Sequence, residues 1–386
     1  MNNKLSWRDF KSAQKRRQFL ENKLNISLDK VGEFNFTEEE ITGRNIENLI
    51  GATQIPLGIA GPLAIKNLKL KIKNYYIALA TTEGALVASI SRGCKAVTQS
   101  GGANVYIESV GITRGPVFKL NNLAEAIKTK IWIEKNFKDL AKVAASTSSH
   151  LKLLKADYQV LGRNLFIRFY FDSADAMGMN MATIGTEQIV RLIEQNTTAK
   201  CISLAGNFDI DKKSAWLNFI SGRGKKIWAE AIIPIKIVRE ILKTSPEKIT
   251  EMVKLKNYLG SILAGSIGYN GHFANIISAI FIATGQDPAH IVEGSMGITT
   301  AEVLPSGDLY FSIYLPALVV GTVGGGTHLP TQQQALKVMQ ATNVLEYAQI
   351  IAAAVLAGEL SLLASLAEGT LAKSHQKLAR KGAKSA

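Results

Sequence analysis

Residues 175–187 read DAMGMNMATIGTE, with Met177, Met179 and Met181 at alternate positions in a chain that has only 7 methionines. Ala176 and Gly178 are small, Asp175 and Asn180 are polar, and apolar periodicity continues to about residue 195. This pattern predicts a helix over 176–195. The first turn of a helix offers backbone N–H groups without intrahelical partners, which suit an anion such as a pyrophosphate. Methionines so placed serve equally well as adaptable core filler. The flanks decide the fold class. Between Pro116 and Ser203, strands near residue 117, at 157–161, at 165–171 and at 200–204 alternate with helices at 122–137 and 176–195. That alternation predicts a compact α+β module.

Upstream, residues 1–45 are polar and helical in pattern, and Thr37 followed by three glutamates has the form of a capping box. ENLIGATQIPLGIAGPLAI (47–65) is punctuated by Gly and Pro, marking turns around short strands. A strand at 75–80 runs into TTEGALVASISRGCKA (81–96), whose small residues predict a closely packed helix. Downstream come a strand at 228–234, helices at 236–243 and 247–257, and a small-residue helix at 271–283. Strands at 298–302 and 309–315 precede GTVGGGTHL (321–329), and helices at 331–340 and 344–366 follow. The apolar run 351–367 is interrupted by Glu359; without the ~18 unbroken apolar residues of a membrane span, it reads as a buried helix.

The 386 residues suffice for two domains with a sizeable core, and 47% hydrophobic against 20% charged residues is a globular composition. A net charge of +14 favours anionic partners. Part of it lies at the ends, in Lys4–Lys30 and in the tail from Lys373. No aromatic residues interleave with the basic tail, so nucleic acid is not an expected partner, and neither is a membrane. Cys94 and Cys201 are far apart and the first thirty residues are charged throughout, which fits a reducing, cytoplasmic setting.

The sequence lacks a P-loop, a HExxH zinc motif, a GxSxG elbow and a GxGxxG fingerprint, so an ordinary Rossmann site and a metal centre are not expected. What remains are isolated polar residues among glycines. Glu83, between a strand and an apolar helix, reads as a poorly solvated acid able to donate a proton, or as a plain helix-terminal charge. Asp287 in ATGQD is similarly ambiguous. Lys212 and Lys213 follow Asp211 in a polar stretch, where one cation can stabilise an oxyanion or both can be solvated. Gly324, Gly325 and Gly326 permit close approach to a ligand or a tight turn.

Together these segments form an ordered set: ENLIG…IPLGIAGPL, TTEGALVAS…RGCKA, TRGP, DAMGMNM…GTE, GN…DKK…GRGK, GSIG…H.AN, ATGQD, GTVGGGT, AGELSL and KSH. The set resembles the catalytic portion of 3-hydroxy-3-methylglutaryl-coenzyme A (HMG-CoA) reductases of class I, over about residues 47–375. The resemblance implies an α+β fold. A large, mainly helical substrate domain (46–115 and 204–386) would carry an inserted, small ferredoxin-like α/β cofactor domain (116–203), after an N-terminal helical segment (1–45). It implies reduction of HMG-CoA to mevalonate and coenzyme A by NADPH, or by NADH, without a metal. It also implies a homodimer or tetramer whose active sites lie between subunits.

By the same resemblance Glu83 is the proton donor, Lys212 the oxyanion stabiliser, Asp287 the partner bonded to both, and His375 the acid for the departing thiolate. Arg114, Lys213 and Lys256, with Asp211 and Asn275 nearby, would hold the substrate carboxylate. Ser89, Arg92, Lys243 and His272 would lie near coenzyme A. Ser148, Ser149, His150, Asp175, Met177, Met179, Asn180, Met181 and Gly324–Gly326 would bind the dinucleotide. Three departures matter. Ala205 stands where the family has a serine before GN. Ser149 stands where class I has an arginine for the cofactor's 2′-phosphate, which leaves NADPH against NADH open. GSIGYNGH is shortened around Gly268. Lys381 replaces a regulatory phosphoserine of animal members, so that control is not expected. The alternatives are a reductase of another acyl-coenzyme A, motivated by Ala205, and a non-catalytic coenzyme A-binding paralogue.

Overall fold

The computed structural model describes residues 6–66 and 72–369. Ten strands of the described residues join one sheet: β1 (Leu57–Lys66), β2 (Ile72–Ala80), β3 (Ala103–Arg114), β4 (Val117–Lys119), β5 (Lys152–Leu161), β6 (Asn164–Asp172), β7 (Lys200–Ser203), β8 (Gly224–Ile233), β9 (Ile298–Val303) and β10 (Leu309–Leu318). The main path runs β7–β4–β6–β3–β8–β10–β9, with β1 and β2 beside the start of β3 and β5 on β6. β3 is the spine. Asn104–Gly111 pairs antiparallel with β8, and Ile112–Arg114 turns over to pair with β6.

Two hydrophobic cores sit on either side of that changeover. The larger packs the helices Leu86–Gln99, Phe273–Thr284 and Val344–Ala367 against β1, β2, β8 and β10. The smaller gathers Phe118, Leu165, Ile167, Phe169 and Phe171 from β4 and β6 with Leu140, Ile189 and Ile193 from the helices Phe137–Ala145 and Met179–Asn196. Each fully buried Leu, Ile or Phe contributes about 1.5–3 kcal/mol. Arg114 and Asp209 sit at the join, because β3 ends there.

The helix Val344–Ala367 is long and apolar enough to cross a membrane, yet 83% of its most apolar window is buried inside this protein. It is the axis of the large core, as its sequence suggests. Its one interior charge, Glu359, is fully buried. That carboxylate accepts from Asn257 Nδ2, Thr299 Oγ1, and the backbone N–H groups of Gly271 and His272. A buried carboxylate is tolerated when its lone pairs are taken in this way.

Several elements differ from the sequence pattern. The helix expected from 176 begins at Met179, because Gly178 turns left-handed at φ 92°. A Cβ there would meet Ser173 Cβ at 2.3 Å, so the chain enters the helix through a site only glycine fills. The helices expected at 236–243 and 247–257 pass into π-turns at Val238–Leu242 and Val253–Gly260. In the N-terminal segment the regular helix is Ala13–Leu24; the Thr37–Glu40 capping box is present on the short turn Glu38–Ile41.

Candidate active site

The loop GNFDIDKK joins β7 to the helix Trp216–Ser221. Three of its non-glycine residues are left-handed: Asn207 (φ 62°), Ile210 (φ 52°) and Lys212 (φ 55°). Such conformations cost on the order of 1–3 kcal/mol each and persist only where surrounding bonds enforce them. Here Thr113 Oγ1 donates to Asp209 O at 2.8 Å, and Asn218 Nδ2 to Ile210 O at 3.0 Å. The loop thereby delivers Lys212 Nζ to Asp287 Oδ2 at 2.8 Å.

Asp287 lies just beyond the helix Phe273–Thr284 and caps the turn Pro288–His290, accepting the Ala289 N–H at 3.0 Å. Burial alone would raise its carboxyl. The hydrogen bond from Lys212, the Ala289 N–H and the adjacent His290 outweigh that and hold it below the usual carboxylate range. The pair is set as carboxylate with ammonium.

Glu83 sits in the turn between β2 and the helix Leu86–Gln99, and its carboxylate accepts from Asn275 Nδ2 at 2.7 Å. The side chain is exposed on this chain. The expectation of a poorly solvated Glu83 therefore fails for the single chain: the turn projects beyond the helix start, and no described element covers it. Of the two bonds expected for Asp287, that to Lys212 is formed, while Glu83 bonds to Asn275. Asn275, expected near the substrate carboxylate, is therefore also the side chain that holds Glu83. His375 lies outside the described residues.

Arg114 Nη1 lies 3.5 Å from Asp209 Oδ2, and burial pushes the Asp209 carboxyl up. Lys213 Nζ donates to Asp211 O at 3.2 Å, and Asp211 Oδ1 pairs with Arg223 at 3.0 Å. Lys256 is half-buried next to Asn257, which with the backbone of His272 is held by Glu359. Ser89 Oγ and Arg92 bond to Ser361 on the long helix, Arg92 reaching Ser365 as well. Lys243 is exposed in a left-handed turn.

The residues expected around a dinucleotide fall into two roles. Met177, Met179 and Met181 all pack against the smaller core. Ser148 Oγ contacts Met181 Sδ at 3.6 Å, so the Ser148–His150 turn and the methionine segment meet, with Ser149 and His150 exposed. Asn180 is exposed in the first turn. Asp175 Oδ1 accepts the N–H of Val344 at 2.8 Å, and its carbonyl accepts Thr322 N at 2.8 Å. A cleft of about 530 Å³ opens there, lined by Asp175, Gly324, His328 and Lys337 among others. Cβ atoms on Gly324 or Gly325 would meet nothing within 4 Å, whereas one on Gly326 would meet Gly285 O at 2.7 Å and one on Gly285 would meet Gly326 O at 2.2 Å. Gly324 lines the cleft with His328 and Lys337; the closed pair locks the glycine loop onto the ATGQD turn.

A second cleft, about 650 Å³, runs from Phe34 and Phe36 to Ala80, at the foot of the Glu83 turn. The two rings stack at 4.6 Å. Sequence reasoning missed this pair, although two aromatics at i and i+2 in a polar segment are a usable signal. It also missed Asp209, Arg223 and Glu359. A lone charge among glycines (GRGK) or in an apolar helix (AGELSL) is the mark of a buried, partnered ion.

Residues 12–380 match the family model described as hydroxymethylglutaryl-coenzyme A reductase. A 3-hydroxy-3-methylglutaryl-coenzyme A reductase of Pyrococcus abyssi is 49% identical over 375 residues, covering 95% of this chain and 92% of that one. One from Methanocaldococcus jannaschii is 49% identical over 374 residues, with the same coverage. One from Xenopus laevis is 44% identical over 93% of this chain but only 42% of its own length. A solved class II 3-hydroxy-3-methylglutaryl-CoA reductase from Streptococcus pneumoniae, bound to NADPH, shares the fold with a TM-score of 0.69 over 94% of this chain and 100% of that one, at 20% identity. With the strained lysine loop, its aspartate partner and nearly the whole length matched, the chain belongs to the hydroxymethylglutaryl-coenzyme A reductase family.

Proposed function

We propose that this chain reduces HMG-CoA to mevalonate and coenzyme A, using two equivalents of NADPH. The observation that carries the reading is the Lys212–Asp287 pair at 2.8 Å, on a loop whose strain fixes the ammonium in place. The dinucleotide would be held in the Asp175–Gly324 cleft and would supply hydride there. The residues present fit it: the unobstructed Gly324 for close approach, and His328 and Lys337 for its phosphates. NADPH is the proposed form, with His150 and Lys152 supplying the positive charge that Ser149 does not.

Lys212 stabilises the negative charge that develops on the thioester oxygen as hydride adds to its carbon. Glu83, oriented by Asn275, gives a proton to that oxygen, and a hemithioacetal results. Its C–S bond then breaks; the oxygen's proton returns to the enzyme, the carbon becomes an aldehyde, and the leaving thiolate takes a proton from His375. The same Lys212 and Glu83 serve the aldehyde oxygen when the second hydride adds. Arg114, Lys213 and Lys256 hold the distal carboxylate, with Arg114 exchanging its Asp209 contact for the substrate. The Phe34–Phe36 cleft offers ring faces for the adenine of coenzyme A.

The exposed Glu83 calls for a cover, and we propose that a second copy supplies it, in a dimer or a tetramer of such pairs. The small core about β4–β7 is proposed as the cofactor domain (116–203) and the large core as the substrate domain. The test is spectrophotometric: loss of reduced-nicotinamide absorbance with HMG-CoA and each cofactor in turn. Oxidation with NADPH supports the reading; no oxidation with either cofactor refutes it.

A further inference from the structure

Arg223 belongs to the GRGK motif and has no part in the chemistry above. Its side chain is fully buried at the start of β8. Its guanidinium touches four separate segments. Nε donates to Thr113 Oγ1 at 2.8 Å, next to Arg114. Nη2 reaches Asp211 Oδ1 at 3.0 Å, next to Lys212, and also Met179 Sδ at 3.0 Å, the first residue of the proposed cofactor helix. Nη1 donates to Glu293 Oε1 at 2.5 Å.

The last contact continues toward the reacting pair. Glu293 Oε1 also lies 2.7 Å from His290 Nδ1. A carboxylate there accepts from Nδ1–H and fixes the ring, whose Nε2 edge then packs beside Asp287 Oδ2 at 3.8 Å without a hydrogen bond between them. Asp287 Oδ2 holds Lys212. Since Lys212 follows Asp211 directly, the groups form one cluster: Arg223 bonds to Glu293 and Asp211, Glu293 to His290, and Asp287 to Lys212, with the His290 ring packed against Asp287. Asp211, His290 and Glu293 have ligand atoms within 4.8 Å of one another, the spacing of a cation site, and here the guanidinium is the cation that meets both carboxylates.

We propose that Arg223 is a positioning residue for the reduction, with Glu293 and His290 as its arm to Asp287; this rests on the roles given to Lys212 and Asp287 above. One rigid fork sets the Lys212 loop, the Asp287 turn and the start of the cofactor helix against each other. Lysine cannot substitute, because its donors radiate from a single point and cannot span four partners.

The test compares Arg223→Lys and Glu293→Gln with the wild type, each first shown folded by circular dichroism and thermal melting. For Arg223→Lys the expected result is a kcat loss of about tenfold or more, with the HMG-CoA KM nearly unchanged and weaker NADPH binding by fluorescence titration. Glu293→Gln, which preserves shape, removes the charge shared by Arg223 Nη1 and His290 and leaves the Arg223 contacts to Asp211 and Met179 in place, is expected to lower kcat while leaving NADPH binding intact. A folded Arg223→Lys with wild-type kcat overturns the proposal. If Arg223→Lys does not fold, Glu293→Gln decides: a kcat loss without a change in KM supports it, and wild-type kcat overturns it. A wild type that oxidises neither cofactor with HMG-CoA refutes the proposed function instead; the NADPH titration of Arg223→Lys then still reads the coupling to Met179.

Discussion

Asp287→Asn keeps the size and shape of the side chain and removes its charge, 2.8 Å from Lys212 Nζ. At that separation the Coulomb term is about 1.5 kcal/mol in a water-like medium and about 6 kcal/mol at an effective dielectric of ~20. Both side chains are partly exposed, 39% for Lys212 and 33% for Asp287, which places the usable interaction near the lower end, about 2 kcal/mol. The defect is one of orientation, and it falls on the transition state in which the oxyanion forms. At about 1.4 kcal/mol per factor of ten, kcat should drop roughly 25-fold. Initial rates of reduced-nicotinamide loss, with both substrates varied, provide the measurement. A kcat within about twofold of wild type, or a loss confined to KM, would refute the reasoning. The pH response has a definite sign. The Asp287 carboxyl is depressed in the folded protein, so its stabilisation is present above the unfolded carboxylate value of about 3.9 and is lost as pH falls through the lower folded value. Asp287→Asn should therefore melt lower than wild type at neutral pH and converge with it in strong acid.

Glu346 is brought down to about 2: burial opposes the shift, and hydrogen bonds from Lys73, Thr342 and Tyr75 outweigh it. Glu346→Gln should remove the wild type's loss of stability between the ordinary glutamate value of about 4.3 and that lower one, seen in melting against pH. Ala205→Ser restores a hydroxyl on an exposed loop position and should lower the HMG-CoA KM by about tenfold or more, given about 1.5–3 kcal/mol for a hydrogen bond to a charged group; an unchanged KM counts against it. Ser149→Arg, also at an exposed position, should raise the preference for NADPH over NADH about tenfold, measured as the ratio of kcat/KM values.

The sequence announced most elements where period or punctuation was clean. The helices at 273–284 and 344–367 have uniform apolar composition, and the Thr37 cap is a purely local device. β3 was not legible. Its first half alternates in burial because one face is open, and Val110–Thr113 is buried continuously because it enters the second sheet region, so no single period describes it. The α+β module, drawn as starting at Pro116, is joined to the rest through this strand. Within the candidate site, the contact expected between Lys212 and Asp287 is present, but the partner of Glu83 was not anticipated. Asn275 is distant in the chain, and its side chain meets Glu83 only after the helix packs on β2. The burial expected for Glu83 was inferred from its neighbours in sequence, which lie beneath the turn rather than above it. Arg223 carried a local mark in GRGK, but its partner Glu293, 70 residues on, could not be named until the chain brought the two together.

The facing backbones of Gly285 and Gly326 leave no room for a methyl group on either side. The glycine loop and the turn that carries Asp287 are consequently one mechanical piece. A dinucleotide that shifts residues 324–326 as it seats must carry Asp287 with it, and Lys212 through its bond to Asp287. On the proposed function, seating of the cofactor and alignment of Lys212 would be one event, and a dinucleotide that enters before the thioester is the order this joint favours.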